Sequence, residues 1–260
     1  LDSQLGRLDE AVPHLRAPDG PGGIELWRVY LSLGDRAAAL KSLEDLRGSE
    51  LTEILREAAL HGMDGRFDEA FASLDRHCDE FPLSRLLDLP TARFALIAGH
   101  ADRAKVLLLG RLPDLARGIE PVKARNVIPA LDLVTAYQRT GESVKAKQLL
   151  GRVIIFLDGA DVPRWPMFIY LRARAHALAG EPELALRALD RAYEEGFRLV
   201  GALDLAPQPL YYVDSIDSDP AFTSLRGDPR YRSWRKRISI DNAKQLERLK
   251  ANDAAEAAGR

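Results

Sequence analysis

The sequence has one cysteine, two methionines and few aromatic residues, 7% of the chain. A lone Cys78 excludes an internal disulfide framework and a cysteine-based zinc site, and it fits a reducing compartment. Basic and acidic residues nearly cancel, for a formal net charge of −2. No overall field therefore draws the chain to nucleic acid or to anionic lipid. No apolar run approaches the roughly 20 residues of a membrane helix. The longest candidate is Val153-Ile154-Ile155-Phe156-Leu157, so no membrane insertion is expected. A secretory signal pattern is absent as well.

The motifs of common chemistries are also missing. There is no G-x-S-x-G, no P-loop and no G-x-G-x-x-G after a strand; Gly20-Pro21-Gly22-Gly23 reads as a linker. The five histidines form no i, i+4 pair and no HExxH. The adjacent side chains of His77 and Cys78 splay apart on a helix, so no metal site is expected. Cys78 lacks a Cys-His signature and reads as a half-buried structural thiol. No catalytic residue, metal or cofactor is expected, and the chain does not read as an enzyme.

What the sequence does contain is a repeat. Hydrophobic residues make up 46% of 260 residues, enough for a continuous core. The pattern G-x4-A-x3-L occurs six times: Gly6/Ala11/Leu15, Gly34/Ala39/Leu43, Gly65/Ala70/Leu74, Gly99/Ala104/Leu108, Gly141/Ala146/Leu150 and Gly180/Ala185/Leu189. Each glycine is placed to end one helix in a left-handed conformation. A polar or acidic residue then starts the next, as in Gly34-Asp35 and Gly141-Glu142. The alanine lets two antiparallel helices approach closely, and the leucine one turn later fills the space between them. Residues 24–33, 51–61, 89–98, 127–139 and 167–179 read as the first helices of the pairs, with apolar residues three and four apart, such as Leu131, Val134 and Tyr137. The links at residues 18–23, 81–82, 113 and 159–166 are turn-rich, and no stretch alternates like a strand.

These residues resemble the tetratricopeptide-repeat family over about residues 1–195. Its small residue seven before the glycine is matched by Ala58, Ala92 and Ala173, but not by Trp27 or Val134. Its aromatic residue four before the glycine is matched by Tyr30 and Tyr137. The closing proline is mostly absent, so the repeats are degenerate. The resemblance implies an all-α, right-handed solenoid of antiparallel helix pairs, about six of them with the first truncated. It also implies a binding scaffold for a protein or peptide. A self-associating homodimer is a further reading.

After Gly196 the pattern changes. Residues 203–212 are rich in proline and aromatics. Asp219-Pro220-Ala221-Phe222 and Asp228-Pro229-Arg230-Tyr231 each read as a helix start, with aspartate as N-cap and proline in the first turn. Residues 196–250 are expected to cap the last repeat, with a final helix from about Pro229 into the 240s and a frayed or disordered tail over 251–260. These Asp-Pro segments resemble the tail of tetratricopeptide arrays in some bacterial regulators. That likeness, with a start at Leu1 inside a repeat, implies a sensory or regulatory segment of a longer signalling protein whose effector domain lies upstream. The expected location is cytoplasmic, or on the periplasmic side of a membrane-anchored regulator.

The repeat register places Arg28, Arg93 and Arg174 at one inward position of three repeats, with Thr135 in the equivalent place of another. Gln138 and Tyr170 lie nearby, with Leu55, Leu89 and Leu131. Arginines beside apolar groups suit an extended acidic peptide in a groove; the alternative is that each arginine is solvated or paired with a neighbouring carboxylate. The densest basic run is Arg226, Arg230, Arg232, Arg235, Lys236 and Arg237. Tyr231 and Trp234, three apart within it, are expected to face the core, so direct binding of nucleic acid is not expected.

Overall fold

A computed structural model describes residues 6–17, 23–45, 50–78, 87–160, 162–198 and 216–258. The predicted links at 18–22 and 81–82 and the stretch 203–212 lie outside the described residues. Among the described residues the chain is all-helical, with thirteen α-helices, one 3-10 turn and no strand. The helices are α1 (Leu8–Arg16), α2 (Gly23–Leu33), α3 (Arg36–Glu44), α4 (Glu50–Met63), α5 (Phe67–Cys78), α6 (Asp88–Ala98), α7 (Ala101–Arg111), α8 (Pro113–Ala116), α9 (Val127–Arg139), α10 (Ser143–Asp158), α11 (Pro166–Leu178), α12 (Pro182–Glu194) and α13 (Pro229–Ala258). The 3-10 turn is Pro220–Phe222.

The glycine-alanine-leucine pattern is the joint of each hairpin. Gly34 has φ of +85°, a conformation that costs a side-chain-bearing residue more. Its placement lets the Asp35 amide bond back to the Tyr30 carbonyl at 2.9 Å, closing the helix end. Asp35 then caps α3, its carboxylate accepting from the Ala38 amide at 3.0 Å. Glu142 does not repeat this; its carboxylate pairs with Lys105 and Lys145. The alanines Ala39, Ala70, Ala104, Ala146 and Ala185 are buried, as are the leucines that follow each of them. Consecutive helices pack pairwise, and the first helices α6, α9 and α11 also stand side by side.

The C-terminal helix differs from expectation in length and in reach. It runs to Ala258, beyond the 240s. Its alanine-rich end has high helix propensity, and Arg16 holds Asp253 at 2.8 Å. Tyr231, Trp234, Ile238, Asn242, Gln245 and Leu249 form one buried stripe along it. Through that stripe α13 touches α12 at the end of the hairpin series and α1 and α2 at its beginning. Gln245 does the work of a missing N-cap: its side-chain oxygen accepts from the Leu8 amide at 2.6 Å, satisfying a donor that begins α1. The Asn242 amide donates to the Ser32 carbonyl at 2.8 Å and to the Arg198 carbonyl at 2.9 Å. No described helix is long and apolar enough to cross a membrane.

Candidate functional site

The sequence places arginines at matched positions of successive first helices, and the structure brings two of them together. Arg93 stands on α6 and Arg174 on α11, with α9 between them carrying Asp132. Arg93 Nη1 donates to Asp132 Oδ1 at 2.6 Å, and Arg174 Nη2 donates to the same oxygen at 2.9 Å. The second carboxylate comes from far along the chain. Asp219 Oδ2 lies 3.2 Å from Arg93 Nη2 and 2.9 Å from Arg174 Nε, and accepts from the Tyr170 hydroxyl at 3.0 Å. Its other oxygen caps the 3-10 turn, accepting from the Ala221 amide at 2.9 Å. Among the described residues, two guanidiniums and two carboxylates thus alternate in a set of buried charges.

Burial decides what this set can do. By itself it pushes the Asp219 carboxyl up; the charges of Arg174 and Arg93, with the Ala221 and Tyr170 hydrogen bonds, outweigh it and hold the group below the usual aspartate value. Burial likewise pulls the Arg93 guanidinium down, and Asp132 and Asp219 more than offset it. Burial raises the Tyr170 hydroxyl well above its ordinary value. Asp219, Arg93 and Tyr170 therefore each stay in one charge state near neutrality.

The other expected groove residues sit elsewhere. Arg28 is buried and pairs with Glu25, one turn earlier on α2, at 2.7 Å. Thr135 is buried and donates back to the Leu131 carbonyl of its own helix at 2.9 Å. Gln138 is exposed and donates to the Leu178 carbonyl at 2.8 Å. The position expected to receive an acidic peptide through Arg93, Arg174 and Tyr170 therefore holds the chain's own Asp219. Asp132 was not among the expected residues. Its signal is in the sequence: one charge in the otherwise uncharged stretch 127–136.

An aromatic column fixes the segment that delivers Asp219. Tyr170 stacks on Phe197 with centroids 4.5 Å apart, and Phe197 on Trp234 at 6.5 Å. Phe222, fully buried, packs between Tyr170 and Tyr231 at 5.6 Å from each. Tyr231 and Trp234 face the core, as their spacing suggests. Much of the basic run around them is paired: Arg230 with Glu183 and Asp228, Arg235 with Asp217, and Arg237 with Asp190.

Arg226 belongs to a different set. It is exposed, and its Nη2 donates to the Asp219 backbone carbonyl at 3.2 Å, on the outer side of the buried charges. Arg139, exposed at the end of α9, donates to the Leu96 carbonyl of α6, one turn beyond Arg93. Burial, then the nearby charges of Arg226 and Arg93, lower the Arg139 guanidinium from its usual value.

Cys78 is buried, with its sulfur 3.2 Å from the Thr91 hydroxyl. Burial pushes the thiol up to about 11, against a smaller downward pull from that hydrogen bond. Among the described residues no three His, Cys, Asp or Glu side chains are grouped to hold a metal ion. No protein-family model matches the chain, and no curated protein is significantly similar to it.

Proposed function

We propose that this chain is a non-catalytic interaction scaffold of the tetratricopeptide kind, a right-handed solenoid that binds a polypeptide partner along the face built by its first helices. The observation that carries this reading is how α6, α9 and α11 treat Asp219 and Phe222. They grip a carboxylate with two arginines and a tyrosine hydroxyl, and they pack an aromatic ring against Tyr170. That is the way a peptide groove reads an extended acidic-aromatic segment, here one belonging to the same chain. The repeated hairpins supply the rigid frame on which such side chains keep their spacing.

Panning a random peptide library against the intact chain tests this, with hydrogen exchange to locate the bound peptide. Enriched peptides that protect α2, α4, α6, α9 or α11 are expected. No enrichment, or protection confined to α3, α7, α10 and α12, overturns the reading.

A further inference from the structure

A cavity of about 590 Å³ opens where the connection between α10 and α11 meets the end of α12. Its size falls within the roughly 300–1,000 Å³ of sites that take small ligands. The helix period builds its lining. Phe168 and Arg172 stand one turn apart on α11, with Ile169 beside them, and Arg191 and Glu195 stand one turn apart at the end of α12. Val162 and Arg164 come from the connection. Phe168 is buried and Val162 and Ile169 are half-buried, so the floor is apolar. Trp165, 41% exposed, extends this apolar surface outward, its ring 6.4 Å from that of Phe168. Three guanidiniums share the cavity. Arg172 is held in place: its Nη2 donates to the Leu157 carbonyl at the end of α10, and its Nε lies 3.0 Å from Asp158 Oδ1. Arg191 and Glu195 are each more than half exposed and 3.9 Å apart, a loose pair of little worth. Arg164 is exposed. Asp158 and Glu195 offset two of the three charges, so among the described residues one positive charge is left over an apolar floor.

We infer that this cavity is a binding site for a small amphipathic anion, an apolar body carrying one carboxylate. The body covers Val162 and Ile169, apolar surface that the fold leaves in contact with water, and reaches Phe168. The carboxylate meets Arg164 and Arg191, whose planar guanidiniums present paired N–H donors to its two oxygens. Its single negative charge matches the excess. The cavity uses none of the residues that hold Asp219. It goes beyond the proposed function by adding a small-molecule ligand to the scaffold, at the junction of the α9–α10 and α11–α12 hairpins.

The test titrates the intact chain with 1-naphthoate, decanoate, 1-naphthamide and acetate. Isothermal titration calorimetry reports affinity, and the Nε–Hε NMR signals of arginine report location. The inference expects naphthoate or decanoate to bind saturably and to shift the Arg164 and Arg191 signals. Each should bind at least about tenfold more tightly than naphthamide, which lacks the charge, and acetate, which lacks the body. Whichever carboxylate binds more tightly assigns an aromatic or an aliphatic body. Arg164→Gln, Arg191→Gln and Ile169→Ala should each weaken binding about tenfold. Arg117→Gln, at an exposed arginine paired with Asp114, should leave it unchanged. Circular dichroism of each variant checks the fold, and the two surface arginine changes carry the test if Ile169→Ala does not fold. The site is overturned if naphthamide or acetate binds as tightly as the carboxylates, or if neither carboxylate saturates by about 1 mM. Affinity untouched by both arginine variants, or arginine signals that do not move, also overturns it. None of these outcomes touches the peptide reading, which the library experiment decides alone.

Discussion

Asp219 and Arg174 meet at 2.9 Å with the carboxylate 1% and the guanidinium 0% exposed, a pairing between the C-terminal segment and the middle of α11. A buried ion pair is weak evidence for net stability, because both charges have left water. Removing one partner is a different matter, since the other is left buried and uncompensated. Asp219→Ala should therefore cost about 3–5 kcal/mol, measured by urea unfolding. Replacing Arg93, Arg174, Asp219 and Asp132 together, by Met, Met, Leu and Leu, should cost less than that single change. If the single change costs under about 1 kcal/mol, the Asp219 pairings are not formed in solution.

Acid should act on the same group. Asp219 has its folded pKa below its unfolded one, so its contribution is complete above the unfolded value, about 3.9, and is lost as pH falls through the folded value. Urea midpoints should hold steady in this respect from neutral pH to about 5 and fall below about 4. Asp219→Asn, which cannot titrate there, should show a shallower acid limb; limbs of equal slope would assign acid sensitivity to other carboxylates.

Buried beside Thr91, the Cys78 thiol stays protonated at neutral pH. Since the thiolate is the reactive form, a disulfide reagent should modify the native chain at least on the order of 100-fold more slowly than the unfolded one. Raising urea through the unfolding transition should release this protection in step with loss of helical signal. Rapid labelling in the native state would place Cys78 outside the core.

Much of the frame was legible because it is local. A glycine, an alanine five residues on and a leucine four beyond it specify a turn and a contact within one hairpin, so α9 was located to the residue from its pattern. The Asp-Pro pairs were legible for the same reason: Asp219 caps Ala221 and Asp228 caps Arg230. The destination of Asp219 was not. Its cap uses one oxygen and leaves the other for a partner that only tertiary packing supplies, across residues 199–215. The matched arginines were visible in register, yet register cannot say whether the facing anion belongs to the same chain. The stripe on α13 was similarly obscured, because Asn242 and Gln245 are polar residues buried to serve backbone groups of α2 and α1.

Gly6 offers a test of the contact between the two ends. It has φ of +80°, and a Cβ there would lie 2.1 Å from the Gly196 carbonyl oxygen. Gly6→Ala combines a strained backbone with a clash against main chain, so a loss of at least about 1–3 kcal/mol is expected. Hydrogen exchange should accelerate first in α1 and in the facing part of α13. Unchanged exchange in both would separate the two ends.

That contact has a consequence for how the molecule folds. Helix hairpins stacked in a row are bound only to their neighbours, so such arrays lose stability hairpin by hairpin and fold through local steps. Here the Asn242 amide reaches the Ser32 carbonyl across 210 residues, and closing a loop of that size carries an entropic cost on the order of 5 kcal/mol. The last helix can lock only after α1, α2 and α12, which it touches, have formed. Unfolding should therefore be one cooperative event, and refolding should end in a slow step in which α13 docks.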